Sequence, residues 1–230
     1  MARFVLLTAP ADYRETHALQ AELVDRRHRG EVPDVVLLLE HREVITLGRK
    51  KGAEGSLVNP GDVPVVPIER GGDATWHGPG QLVAYPLVKL EGRRADLHLH
   101  LHSLEDAVIS LLSTWGLAPV RDERNTGVWL PAPAGPPQKV CSIGIACRRW
   151  VTWHGLALNL TADLQRFATI HPCGFDPSVM TRVADHLVRC PSVDEAARQL
   201  VGPLATALEV TVDGELLRAQ RPDEVVALLS

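Results

Sequence analysis

The stretch "KVCSIGIACRRWVTWHGLALNLTAD", Lys139–Asp163, decides how the whole chain is read. Its apolar and β-branched residues come in short runs broken by the polar pair Arg148 and Arg149, which is the pattern of several strands joined by turns. Immediately before it stands the proline-rich "PAPAGPP", and before that the apolar "TGVWL". A domain boundary at the prolines would split a strand pair, so they read as a hairpin loop and the middle of the chain as a sheet.

Working outward, the run "VVLLLEHREVITLGRK" from Val35 reads as a buried strand, a polar break at Glu40 to Glu43 and a second short strand ending at Gly48. "VPVVPIERGG" is β-branched and interrupted by proline, and "QLVAYPLVKL" is a further apolar run. The glycine-rich segment Arg70 to Gly80 is therefore expected as a loop hanging between two strands. In "DLHLHLHSLEDAVISLLSTWGL", Leu97, Leu101, Leu104, Val108, Leu111 and Leu112 keep helical spacing, with Asp96 as N-cap and Gly116 as stop. Ser192 and Glu195 form a capping box ahead of Ala196, Leu200 and Leu204, and a short last helix is expected near Pro222. Helices that follow strands predict the α+β class, a mixed β-sheet flanked by helices.

A chain of 230 residues can bury a full core, and one catalytic domain over 1–230 is expected. With 45% hydrophobic and 23% charged residues it has ordinary globular proportions, and a net charge of -4 gives no broad attraction to nucleic acid or to an anionic membrane. The apolar run before Pro10 and Asp12 is too short for a signal peptide or a spanning helix, so a cytoplasmic protein is expected. Cys141, Cys147, Cys173 and Cys190 show no CxxC pair, which favours reduced thiols.

In "ERGGDATWHGPGQ" the glycines allow close backbone approach to a bound group, while Arg70, Asp73, Thr75, His77 and Gln81 supply polar side chains. The spacing of a phosphate-binding GxxxxGK[ST] loop is missing, and a plain surface loop is the competing reading. "HLHLH" resembles a metal tract, yet on a helix His98 and His102 share a face that His100 does not, so a solvated helix face without metal is expected. His154, followed by glycine and surrounded by apolar strand residues, either lines a pocket or is an ordinary hydrogen-bonded core histidine, and taken alone the second reading leads. Cys173, between Pro172 and Gly174 in "IHPCGFD", is either a buried filler or a nucleophile exposed on a turn; His171, His77, His154 and Lys139 are its candidate proton partners. Lys139 heads a largely apolar strand: it reads either as a solvated strand end or, if desolvated there, as the neutral amine a base requires.

Taken together, "RGGDATWHGPGQLVAYPL", "KVCSIGI", "WHGLALNL" and "IHPCG" resemble, in order and in register, the motif blocks of the lipoate-biosynthesis octanoyltransferases. The resemblance runs from Val36 to Phe175, and it implies a fold similar to the lipoate and biotin protein ligase catalytic domain, without metal or cofactor. It implies that Cys173 carries an acyl-thioester intermediate and that Lys139 is its acid/base partner. It also implies an acyl-substrate site lined by Arg70, Gly71, Gly72, Asp73, Ala74, Thr75, Trp76 and His77, by Ser142, Ile143 and Gly144, and by Gly155, Leu156 and Ala157. The implied reaction moves an octanoyl group from octanoyl-acyl carrier protein to lysines of lipoyl domains in 2-oxoacid dehydrogenase complexes and the glycine cleavage H protein; separately, a monomer is expected. The competing activity on the same fold is an ATP-dependent lipoate or biotin protein ligase. The chain departs from the family pattern at Trp76 and at His171, which sets a titratable ring near Cys173.

Overall fold

The computed structural model describes residues 1–122, 125–171 and 176–229. The strands are β1 (Ala2–Leu7), β2 (Asp34–Leu39), β3 (Val44–Leu47), β4 (Val65–Pro67), β5 (Ala74–His77), β6 (Gln81–Leu87), β7 (Val120–Asp122), β8 (Asn125–Leu130), β9 (Gln138–Arg148), β10 (Val151–Asn159) and β11 (Leu217–Ala219). The helices are α1 (Tyr13–Arg29), α2 (Leu97–Thr114), α3 (Val193–Ala207) and a single turn, α4 (Val225–Leu228). An eight-stranded sheet runs β11-β1-β2-β6-β10-β9-β8-β7, and a smaller sheet runs β4-β3-β5. In the large sheet β1 is parallel to β2 and β11, while β2, β6, β10, β9 and β8 pair antiparallel in succession. Mixed pairing with flanking helices is the α+β arrangement expected from the sequence.

Period-two alternation sends neighbouring residues of one strand to opposite faces. Phe4, Leu6, Val36 and Leu38 pack with Leu104, Val108, Leu200 and Leu204 of α2 and α3. Val5, Leu7, Val35, Leu37 and Leu39 pack on the other face with Leu19, Leu23 and Val24 of α1. The small sheet has its own cluster, with Ile45 and Leu47 against Trp76 and Phe167. Among the described residues no helix is long and apolar enough to cross a membrane.

The opening stretch forms the hairpin of β9 and β10. Arg149 and Trp150 at its turn both have positive φ, 53° and 63°, the handedness that a two-residue hairpin turn requires. The proline-rich segment joins β8 to β9, which pair through Trp129 with Lys139 and Leu130 with Gln138. The Asp96 cap of α2 and the Ser192/Glu195 capping box of α3 are both formed.

Some expectations fail. β1 and α1 lie in the first 30 residues, where the sequence reading placed no element. The glycine-rich segment contains β5, whose pairing with β3 (Thr46 with Thr75, Val44 with His77) makes it a strand rather than a hanging loop. On α2, His98 and His102 are exposed as expected, but His100 is buried beneath them. Burial lowers its pKa from 6.5 to about 4, so that ring packs as a neutral group.

Candidate active site

A cleft of about 330 Å³ opens beside the β9–β10 hairpin, at the lower end of the roughly 300–1,000 Å³ typical of ligand pockets. Its floor follows from strand register. Gly155 pairs with Gly144 and Ala157 with Ser142, and residues directly opposite in an antiparallel pair share a face. Two facing glycines, a serine and an alanine leave the sheet surface bare, so a ligand can lie close to the backbone. Gly155 cannot be enlarged, because a Cβ there would collide with the Ala84 carbonyl of the neighbouring strand.

The glycine-rich segment roofs this floor. The Gly71 amide donates to the Ile145 carbonyl at 2.9 Å, which lays the segment across β9. Arg70 is buried and reaches away to β3, where Nη2 donates to the Thr46 carbonyl and hydroxyl at 2.9 and 3.0 Å. Asp73 holds the turn from below: it accepts from Lys50 Nζ at 2.7 Å, from Ser56 Oγ at 2.6 Å and from the Ala74 amide at 2.8 Å. Burial pushes that carboxyl up, and these three donors outweigh it and hold the pKa below the ordinary value.

Of the residues expected around the substrate, Arg70, Gly71, Gly72, Ala74, Thr75, His77, Ser142, Ile143, Gly144, Gly155, Leu156 and Ala157 all line this one cleft, as does Lys139. Asp73 and Trp76 are not on its lining. Trp76 points from β5 into the small sheet's core, its ring 5.5 Å from Phe167 in an edge contact. The alternation of β5 that gives His77 to the cleft gives Trp76 to the core.

Lys139 is 6% exposed, and its Nζ lies over the Trp129 ring, 5.1 Å from the centroid. Its path crosses Gly127, where φ is 131° and an added Cβ would stand 2.6 Å from Lys139 Cε. Only glycine gives the lysine this route along β8. Glu105 of α2 fixes the same point by accepting from the Gly127 amide at 2.8 Å.

Cys173 lies outside the described residues, and the chain on both sides of it is tied down. Before it, Ile170 bridges to Leu57, and the amide of the exposed His171 donates to the Ser56 carbonyl at 2.7 Å, beside the Asp73 turn. After it, Val179 and Met180 line the cleft, Met180 bridges to Lys139, and the Thr181 amide donates to the Lys139 carbonyl at 2.9 Å. The other cysteines Cys141, Cys147 and Cys190 are thiols in no disulfide, and burial pushes the Cys141 thiol up to about 12.

The end of the cleft towards α1 is polar and aromatic, with Tyr13, His77, Tyr85 and His154. Burial, then the nearby His41, lowers the His77 pKa from 6.5 to about 3, and burial, then His17, lowers that of His154 to about 3. Both rings are therefore neutral near pH 7. The expectation of an ordinary, hydrogen-bonded His154 is corrected: it is buried with neither ring nitrogen hydrogen-bonded, on a backbone of φ 56°. Its amide donates to Gln20 Oε1 of α1 at 2.8 Å, which explains a buried glutamine on that helix. His154 Nε2 also stands 3.8 Å from Glu69 Oε2, which accepts from or pairs with His17 Nε2 at 2.9 Å. Sequence reading missed Tyr13 and Tyr85, whose only signal was an aromatic residue in a polar start and in an apolar run.

The family model described as the lipoyl protein ligase A/B catalytic domain matches residues 12–205, a span that includes strands β2 to β10 and every described residue lining the cleft. An octanoyltransferase of Geobacter sulfurreducens is 42% identical over 197 residues, 86% of this chain and 81% of that protein. One of Thermobifida fusca is 41% identical over 204 residues, 87% of this chain and 86% of that protein. The chain belongs to this family and stands with its octanoyltransferases. A bipartite lipoate protein ligase of Thermoplasma acidophilum superposes with a TM-score of 0.73 at 17% identity, covering 99% of this chain and 91% of that one, a likeness of fold.

Proposed function

We propose that this chain transfers an octanoyl group from octanoyl-acyl carrier protein to the lysine amine of lipoyl domains, in 2-oxoacid dehydrogenase complexes and the glycine cleavage H protein. It acts as a cytoplasmic monomer through a thioester on Cys173, with Lys139 as acid and base. The observation that carries the reading is the buried Lys139 on the wall of a partly apolar cleft, tethered through Thr181 to the chain that follows Cys173. The octanoyltransferase relatives give the acyl group its identity.

The chemistry balances in two halves. Lys139 Nζ takes the Cys173 proton, the thiolate forms a bond to the thioester carbonyl carbon, and the donor's C–S bond breaks as Lys139 returns the proton to the departing thiol. The lysine amine of the acceptor then attacks the acyl enzyme, Lys139 removes its proton, and the C–S bond to Cys173 breaks to release an amide and a thiol. The first exchange trades one thioester for another, so little bond energy changes. Leu101, Ile143, Ile145, Leu156, Val179 and Met180 supply apolar contact for the tail. Each buried methylene adds about 0.8 kcal/mol, or roughly a fourfold preference.

The deciding assay supplies octanoyl carrier protein and an unmodified lipoyl domain and omits ATP. Octanoylation of the domain is expected. An absolute need for ATP would reject the transferase reading in favour of a ligase.

A further inference from the structure

The polar end of the cleft is backed by two hydrogen-bond chains, and each ends on a backbone carbonyl, which can only accept. In the first, Asn159 Nδ2 donates to the Thr181 carbonyl at 3.0 Å, so Asn159 Oδ1 is the acceptor that faces Gln81 Nε2 at 2.9 Å. Gln81 Nε2 also faces the Trp76 carbonyl at 3.4 Å, which fixes that amide the same way round. Gln81 Oε1 therefore faces His77 Nδ1 at 2.7 Å as an acceptor, and Nδ1 must carry the proton. Asn159 is fully buried and Gln81 nearly so, hence neither amide can turn without burying two carbonyl oxygens against each other. His77 Nε2 is left as a lone pair, with no hydrogen bond among the described residues, on a ring that lines the cleft.

The second chain gives the same polarity independently. His41 Nδ1 faces the Ala11 carbonyl at 3.2 Å and must donate to it. Its Nε2 is then an acceptor and takes the Tyr85 hydroxyl proton at 2.8 Å. Tyr85 also lines the cleft, so its oxygen keeps only lone pairs for a ligand.

We propose that Asn159 and Gln81 lock His77 as the Nδ1–H tautomer, so that the cleft meets its substrate with acceptors, His77 Nε2 and Tyr85 Oη, and receives an N–H group there. Resting on the octanoyl-transfer reading, that group is the primary amine of the incoming lysine or an amide N–H of the thioester donor's arm. Gln81 and Asn159 are positioning residues that act through His77. A ring free to choose would favour the other tautomer or exchange between the two, and an Nε2–H facing the substrate N–H would repel it.

Two readouts need no turnover. In histidine-labelled protein, long-range proton–nitrogen spectra of His77 should show a protonated Nδ1 and a bare Nε2, and Gln81→Leu should abolish that pattern. An Nε2–H pattern in the unaltered protein overturns the proposal. N-methyloctanamide should bind about tenfold more tightly than N,N-dimethyloctanamide, the worth of one neutral hydrogen bond, and Gln81→Leu should close the gap. Equal binding in the unaltered protein overturns it as well. Single-turnover rates then name the source: a roughly tenfold loss in Gln81→Leu falls on deacylation if the lysine amine is received and on acylation if the donor's amide is. Equal loss in both halves, tracking lost thermal stability, reduces Gln81 to a structural role. Should no octanoyl transfer occur at all, the amide gap and the histidine pattern would stand while the transferase reading fell.

Discussion

The two faces of the large sheet are built differently. Towards α2 and α3 the strands meet a mostly apolar layer, with Leu104, Val108, Leu200 and Leu204 against Phe4, Leu6, Val36 and Leu38, in which α2 also buries His100 and Glu105. Towards α1 the same strands meet a layer that mixes Leu19 and Leu23 with buried Thr16, Gln20, Tyr13 and His41, and the cleft opens beside it. The α1 side exchanges more of its apolar area for hydrogen-bonded groups beside the cleft, while on the α2 side Glu105 is the buried group that serves the site, through the Gly127 amide.

The widest gap between the faces should appear in activity. Lys139→Ala should slow octanoyl transfer about a hundredfold or more, the usual worth of a proton-transfer group, with a far-ultraviolet spectrum like that of the unaltered protein. Near-normal rates at neutral pH would strip the lysine of its role. Leu104→Ala, on the apolar face, should cost about 2–5 kcal/mol in denaturant melts and leave KM for the carrier protein unchanged in the folded fraction. Gln20→Ala, on the other face, should cost less, about 1–3 kcal/mol, since it strands the His154 amide, and should also disturb catalysis. The faces would lose their distinction if Leu104→Ala raised KM and Gln20→Ala did not touch the rate.

Acid sharpens the same contrast. His41, His77 and His154 back or line the cleft and His100 lies under α2, with pKa values lowered from 6.5 to about 4, 3, 3 and 4, burial being the largest cause in each. The unfolded chain therefore binds more protons between pH 6.5 and these values. The stability this gives is complete above pH 6.5 and drains as pH falls, at most about 1.4 kcal/mol per group for each unit below. Thermal melts should drop by several degrees between pH 7 and pH 5, before buried carboxylates such as Asp73 begin to titrate. A melting temperature that stays level over that range would contradict the neutral burial of these rings. The smallest effect belongs to the floor: Ala157→Leu should shift the octanoyl-to-hexanoyl rate ratio towards hexanoyl by about fourfold for each methylene it displaces. An unchanged ratio would move the acyl tail elsewhere.

Much of the apolar face was legible in the sequence. Leucine spacing gave α2, the Ser192/Glu195 pair gave α3, and short β-branched runs gave β9 and β10. α1 was hidden for a physical reason: its buried face carries Tyr13, Thr16 and Gln20, so the apolar stripe that marks a helix is broken by residues that serve the site. Its Asp12 cap and the Gly30 stop, at φ 77°, were the signals left to find. β5 was hidden because its partner β3 lies far away in sequence and glycines surround it. The gathering of Arg70, Lys139, Ser142 and Gly155 round one cleft came from the family resemblance, since spacing along a chain does not report distance in space. The solitary His154 and the paired amides Gln81 and Asn159 carry no periodic pattern, and their roles depend on partners up to 134 residues away.

The central claim is a covalent acyl enzyme at Cys173, and intact-mass spectrometry tests it directly. Mixed with octanoyl carrier protein and no acceptor, the unaltered protein should gain one octanoyl group, lose it when a lipoyl domain is added, and fail to gain it as Cys173→Ser. An unmodified mass throughout, with the serine variant still octanoylating the domain at full rate, would contradict the account.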